Sequence, residues 1–331
     1  MTHINYLSRE EAVMRMNSYG KEGIPFFFLI DFDETRCIIE KPENLSEGEI
    51  LFSYPFAGNV SCTDMKSDRK PVWNTCPQTY EEYLHSFDIV YKNIYKGNSF
   101  LTNLTCATPI ETDMTLEDIF RYSKAKYKLL FRDKFVMFSP EIFVRINGGM
   151  IYSYPMKGTI DASIPNAAEV IMSDTKESAE HATITDLIRN DLSRVATEVT
   201  VTKYRFIDEV VTNSGKLLQV SSEIRGRLPE DYASSLGDMF FRMLPAGSVT
   251  GAPKKKTVEI IREAETYSRG YYTGVTGYFD GKNLDSAVII RFIEKMPDGS
   301  LVFKSGGGIT FMSDARSEYE EMIQKVYVPV Y

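Results

Sequence analysis

Residues 271–304 read YYTGVTGYFDGKNLDSAVIIRFIEKMPDGSLVFK. Apolar, aromatic and β-branched residues fill three runs, 271–280, 285–295 and 300–304. The breaks between them carry Asp280-Gly281 and Asp298-Gly299. Asp-Gly is a hairpin turn signal, because glycine accepts the positive φ that tight turns need. Strands joined this closely run antiparallel, since a parallel return needs a long crossover. Working outward, the same device recurs where 135–146 and 150–154 flank Asn147-Gly148-Gly149. Further strands are expected on either side of an Asp-Glu-Thr turn within 25–40, and at 99–110, 199–205 and 216–227. Helical spacing predicts helices over 79–95 (capped by Thr79), 176–195, 231–243, 252–266 and 314–326. Antiparallel strands with helices gathered outside them describe an α+β protein, not a doubly wound one. Segment 41–76 is irregular and rich in Pro, Ser, Asp and Gly. It suggests a short N-terminal region, 1–75, packed on a main domain over 76–331, the whole forming one structural domain.

The chain has 331 residues, 43% of them hydrophobic and 25% charged, which allows a sizeable core. Its net charge of -8 argues against nucleic-acid binding, and Lys254-Lys255-Lys256 is too short to form a basic stripe. Cys37, Cys62, Cys76 and Cys106 lie far apart without a CxxC pair, so neither a disulfide framework nor a zinc site is expected. Three histidines exclude a His-rich metal site. The N-terminus carries no signal-peptide pattern, and no apolar run approaches the length of a membrane span. A soluble, cytoplasmic protein is the expectation.

Two expected helices carry paired carboxylates. Glu177 and Glu180 stand at i and i+3, as do Glu318 and Glu321, with Lys325 one turn further. Each pair shares a helix face. If the two helices meet, they could hold one hard divalent cation such as Mg²⁺, which takes a few carboxylates and completes its shell with water and substrate oxygens. Surface glutamates would show the same spacing. Gly306-Gly307-Gly308 could aim backbone amides at an anion. Gly247-Ser-Val-Thr-Gly-Ala-Pro-Lys254 lacks the Gly-Lys-Ser/Thr ending of a phosphate loop, although Pro253 suits the first turn of the next helix. At 154–159, Tyr-Pro-Met-Lys-Gly-Thr puts Lys157 on a corner after a strand.

Taken together these segments resemble the chorismate-utilising enzymes, the family of anthranilate, aminodeoxychorismate, isochorismate and salicylate synthases. Nine matches run in order between about residues 80 and 327. They are Ser139-Pro-Glu141, Pro155-Met-Lys-Gly-Thr159, Lys176-Glu-x-x-Glu-His181, Asp186-Leu-Ile-Arg-Asn-Asp-Leu192, Gly247 to Lys254, Arg269-Gly-x-Tyr-x-Gly274, Ile290-Arg291, Gly306-Gly-Gly-Ile309 and Glu318-x-x-Glu-x-x-x-Lys325. The resemblance implies two antiparallel sheets packed face to face with helices outside, and a chorismate-binding catalytic domain over 76–331. It assigns Mg²⁺ to Glu180 and Glu321, with Glu177 and Glu318 close by through water. Gly158, Thr159, Thr250, Tyr272, Arg291, Lys325 and the amides of Gly306, Gly307 and Gly308 would hold the substrate.

Family members that make anthranilate carry alanine where this sequence has Lys157, and those that aminate chorismate at C4 carry lysine. The resemblance therefore implies a Lys157 adduct at C2, Glu141 as the general acid for the leaving C4 hydroxyl, and 4-amino-4-deoxychorismate as product, en route to 4-aminobenzoate and folate. Attack needs a neutral amine, so a depressed Lys157 pKa is expected. Leu101 stands where water-using members have a lysine, which counts against isochorismate and salicylate synthesis. His181 is shared with anthranilate synthases, which keeps anthranilate synthase component I as the alternative. Phe292 replaces the usual threonine, and the short N-terminal region puts the family's tryptophan pocket in doubt. No glutaminase constellation is present, so the resemblance implies a separate glutamine amidotransferase subunit or free ammonium.

Overall fold

The structure is a computed structural model that describes residues 4–45, 48–60, 71–212 and 215–329. Cys62 lies outside these residues. Among the described residues the chain forms two nine-stranded sheets, and each strand pairing is antiparallel. The first runs Met156–Asp161, Gly215–Arg227, Met150–Ser153, Ile142–Asn147, Leu284–Val288, Val275–Phe279, Phe26–Ile30, Cys37–Glu40. Thr197–Thr212 pairs with Gly215–Arg227 along its other edge. The second runs Gly251–Ala252, Leu101–Thr112, Leu301–Thr310, Phe292–Lys295, Phe135–Ser139, Tyr127–Phe131, Ile50–Tyr54, Ala57–Gly58, and Trp73–Thr75 also pairs with Leu101–Thr112.

The strand Phe26–Ile30 shows how the layers stack. All five of its residues are buried, and successive side chains point to opposite faces. Phe27 and Leu29 pack with Phe52, Leu129, Phe131, Met137 and Phe292 between the two sheets. Phe26, Phe28 and Ile30 pack on the other side with Ala12, Met16, Met239 and Phe240, which belong to the helices Arg9–Glu22 and Leu236–Arg242. Burial on both faces explains an unbroken apolar run in an antiparallel sheet. Each buried phenylalanine contributes about 1.5–3 kcal/mol. Outside the second sheet, Tyr83, Phe87, Ile260 and Met322 cover Leu104, Cys106 and Ile309. The expected α+β layering, with sheets face to face and helices outside, is what the structure has.

Several details differ from the sequence expectations. The irregular segment contains strands Ile50–Tyr54 and Trp73–Thr75, and residues before 76 supply strands to both sheets. The helices Arg9–Glu22 and Leu116–Tyr122 start with capping boxes, Ser8 with Glu11 and Thr115 with Asp118, as the expected helix Tyr80–Tyr95 does with Thr79 and Glu82. The run 285–295 is two strands, Leu284–Val288 and Phe292–Lys295, in different sheets. The run 135–146 likewise breaks between Phe135–Ser139 and Ile142–Asn147.

Candidate active site

Those two breaks build one half of the site. Phe135–Ser139 pairs with Phe292–Lys295 in the second sheet, and Ile142–Asn147 pairs with Leu284–Val288 in the first. Two neighbouring chains therefore leave one sheet for the other side by side. Backbone bonds tie the crossings together: Phe138 N donates to Arg291 O at 3.1 Å, and Val288 N to Glu141 O at 3.2 Å. Arg291 takes φ 53° at its corner, a left-handed conformation that few non-glycine residues adopt. Glu141 and Arg291 both line a cleft of about 220 Å³. Burial pushes the Glu141 carboxyl pKa up, and a hydrogen bond from Ser248 Oγ opposes this only in part. Arg291 Nη1 donates to Lys325 O at 2.8 Å.

Lys157 enters from the first sheet. The strand Met156–Asp161 changes register against Gly215–Arg227 between Met156 and Thr159, and Gly158 has φ 88°. Such a bulge re-aims a side chain, and Lys157 lines the same cleft. Its Nζ lies 2.7 Å from Glu180 Oε2. Burial pulls the lysine pKa down, but Glu180, then Glu177 and Glu321, pull it up, and the carboxylates prevail. The expectation of a depressed pKa does not hold for the structure as it stands: Lys157 is a paired ammonium.

Glu180 and Lys325 line the same cleft, so the carboxylate-bearing helices Thr175–Ser193 and Ala315–Gln324, the second capped by Lys325, meet there. Glu177 Oε2 is buried without a hydrogen-bond partner, and burial raises its carboxyl pKa. Glu318 accepts from Ser313 Oγ at 2.8 Å. Lys325 Nζ lies 2.7 Å from Glu321 Oε1 and donates to Gly306 O at 2.9 Å. Among the described residues no three ligating side chains converge tightly enough to enclose an ion as they stand; the Lys157 ammonium lies on Glu180 instead. The donors are all oxygen, the acidic charge is in excess, and one buried oxygen is unpartnered. That set fits a hard divalent cation.

The glycines differ from one another. A Cβ on Gly306 would meet Leu104 O at 2.4 Å, whereas one on Gly307 would meet only Glu318 Oε2 at 3.4 Å and Lys325 Nζ at 3.8 Å. Leu301–Thr310 has Phe292–Lys295 on one side only as far as the Phe292–Lys304 pair, so beyond it that edge of the Gly306–Gly308 backbone faces the cleft. Tyr272 is buried at the cleft wall, and Leu101 also lines it. Thr250 does not: it is fully buried and donates to Ala246 O at 2.8 Å. Thr159 is exposed. Gly158 sits behind Lys157, where a Cβ would meet Glu177 Oε2 at 3.1 Å and Ile171 Cδ1 at 3.5 Å. His181 lies off the cleft, 2.7 Å from Ser222 Oγ. Sequence reasoning missed Ser248, Asn103, Asp191 and Lys304, which all line the cleft. Ser248 was signalled by its place in the Gly247–Lys254 motif.

The model of the chorismate binding enzymes matches residues 6–330. The chain belongs to that family. Proteins of Pasteurella multocida and Haemophilus influenzae, each named an uncharacterised PabA-like protein, are 47% identical to it; the matches cover 98% and 97% of this chain and 100% and 97% of theirs. Anthranilate synthase component 1 of Acetivibrio thermocellus is 36% identical over 194 residues, 56% of this chain and 38% of that enzyme. Among solved structures, the 2,3-dihydroxybenzoate-specific isochorismate synthase of Bacillus anthracis superposes with a TM-score of 0.71 over 96% of this chain and 86% of that one, at 19% identity, a likeness of fold. Anthranilate synthase component I of Streptococcus pneumoniae does so with a TM-score of 0.63, at 28% identity, over 76% of this chain and 58% of that one. A chorismate-utilising enzyme is thus established, and no helix among the described residues is long and apolar enough to cross a membrane.

Proposed function

We propose that this chorismate-utilising enzyme aminates chorismate at C4, producing 4-amino-4-deoxychorismate, with Lys157 as nucleophile and ammonia supplied by a glutamine amidotransferase subunit. The observation that carries this reading is Lys157 itself, held by a bulge in the cleft that Glu141 and Arg291 also line. Arg291, Lys325 and the free edge of Gly306–Gly308 would bind the substrate's two carboxylates; a guanidinium fork suits that task. A magnesium ion held by Glu180 and Glu321, with Glu177 and Glu318 behind through water, would supply Lewis-acid polarisation of the C1 carboxylate and ring.

Attack requires Lys157 to lose its proton; with Glu180 engaged by a cation, the ammonium would lose the carboxylate that now holds it at 2.7 Å and pass that proton to water. The amine then bonds to C2, both ring double bonds shift, and the C4–O bond breaks. Glu141, whose carboxyl pKa burial raises, gives its proton to the departing hydroxide, which leaves as water. Ammonia adds at C4 and returns one proton to the Glu141 carboxylate, the double bonds shift back, and the C2–N bond breaks to free the lysine amine. The sum is chorismate plus ammonia giving the amino product plus water.

Anthranilate synthesis is the second reading, because relatives 32–36% identical are named anthranilate synthase component 1. The two separate by product. Purified protein is given chorismate, Mg²⁺ and ammonium, with and without a glutamine amidotransferase, and the product is identified by mass and retention beside Lys157→Ala. The aminodeoxychorismate product, lost in the variant, supports the lysine reading. Anthranilate from the wild type overturns it.

A further inference from the structure

Glu177 and Glu180 sit in the first turns of the Thr175–Ser193 helix, with Ser178 and His181 as their immediate neighbours. Ser178 and His181 are themselves i and i+3, a second face turned about 100° from the carboxylates. Both are held by a single pair of adjacent strands. Arg205, on Thr197–Thr212, donates from Nη1 to Ser178 Oγ at 3.0 Å and from its backbone N to Ser222 Oγ at 2.9 Å. Ser222, on Gly215–Arg227, is 2.7 Å from His181 Nε2, and its own N donates to Pro155 O at 3.0 Å. One serine thus links the carboxylate helix to the corner that precedes Lys157.

Arg205 reaches further. Its Nη2 donates to Ile171 O at 3.2 Å, in the short helix Ala167–Ser173. Ile171 and Glu177 are the two side chains that stand against Gly158. The arginine therefore grips both segments that close over the Lys157–Gly158 bulge. It does so from a distorted backbone. The ladder shifts register between Lys203 and Phe206, and Arg205 has φ 49°. A left-handed non-glycine backbone is strained, and such strain persists where surrounding contacts hold it.

We propose that Arg205 is a positioning residue that fixes the acidic turn Glu177–Glu180 against Lys157. This rests on the reading of those carboxylates and that lysine as the working groups of the site. Loosening a group that orients metal-holding side chains typically weakens metal binding 10–100-fold.

Arg205→Ala, Arg205→Lys and Ser178→Ala are compared with wild type in two measurements. The first is hydrogen exchange of residues 167–182 without substrate or metal, and the second is Mg²⁺ affinity by calorimetry. Arg205→Ala is expected to speed exchange in 167–182 alone and to weaken Mg²⁺ about tenfold or more, with kcat falling more than KM rises. Ser178→Ala, which removes one contact and cannot disturb the bulge, is expected to show a smaller effect of the same sign. Arg205→Lys, reaching one partner, is expected to lie between. Unchanged exchange in both Arg205→Ala and Ser178→Ala overturns the proposal. So does faster exchange with Mg²⁺ affinity and kcat within twofold of wild type, which would mark Arg205 as merely structural. If the wild type binds no Mg²⁺, the metal assignment fails on its own, and exchange of residues 167–182 together with kcat decides the role of Arg205.

Discussion

Replacing Lys254 by methionine tests how this cleft is held. Lys254 Nζ lies 2.7 Å from Asp191 Oδ2 and donates to Met243 O at 2.6 Å. Both side chains of the pair are 10% exposed. Burial is the largest influence on each group, raising the Asp191 pKa and lowering that of Lys254. Each shift favours the neutral form, so desolvation outweighs the mutual attraction. Lys254→Met keeps the length and removes the charge, leaving a buried carboxylate alone; the cost is about 3–5 kcal/mol. Asp191→Leu should cost a similar amount. The double variant, Lys254→Met with Asp191→Leu, buries no charge and should fall within about 1 kcal/mol of wild type, or above it. The assay is urea unfolding at neutral pH, comparing midpoints at equal slope. A double variant as unstable as either single variant would refute the reasoning, since the attraction would then exceed the cost of desolvating both charges. The pair then has another role. A Cβ on Gly247 would meet Asp191 Oδ2 at 2.9 Å, so Asp191 braces the loop that carries Ser248 to Glu141. The stable double variant is expected to turn over more slowly.

Three other outcomes follow from the same geometry. Glu141→Gln should abolish turnover yet stabilise the fold at neutral pH: the folded carboxyl, its pKa raised, binds a proton that the unfolded chain releases near pH 4.3, so this group's contribution falls as pH rises through the folded pKa. Thermal melting at pH 7 and at pH 4 measures it, and a gain that grows on acidification contradicts it. Gly306→Ala should destabilise the protein by several kcal/mol through its clash with Leu104 O, about the cost of overpacking; Gly307→Ala should fold normally and lose chorismate affinity, read by melting temperature and KM. Phe27→Ala, in the layer between the sheets, should cost about 3–5 kcal/mol in urea without altering KM.

The layering was legible because its signals are local. Asp280-Gly281 and Asp298-Gly299 sit in or beside tight turns, and Thr79 caps its helix through Glu82. The capping boxes at Ser8 and Thr115 are equally local signals. The crossings were not readable. Strand propensity runs straight through Ile289–Arg291, and although Pro140 marks a break within 135–146, only tertiary pairing decides that the two halves of each run belong to different sheets. The motifs pointed at Lys157, Glu141, Arg291 and both carboxylate pairs as groups of interest, and the structure gathers them around one place. The protonation of Lys157 could not be read from sequence, since it depends on how close Glu180 comes. Thr250 illustrates the reverse, a residue in a motif whose hydroxyl serves its own loop.

The paired crossings have a consequence for what can move. Glu141 and Arg291 are not borne on a lid. They stand where two chains, bonded to each other, bolt one sheet to its neighbour, so altering their separation means shearing both halves of the molecule at once. The acidic turn Glu177–Glu180 is held by side chains instead, Arg205 on Ser178 and Ser222 on His181. One jaw of this vice is part of the frame and the other is fastened to it through side-chain contacts. Substrates of different length would therefore be accommodated from the Glu177–Glu180 side, and changes of chemistry would enter most cheaply through the bulge at Lys157, which can be recut without disturbing the frame.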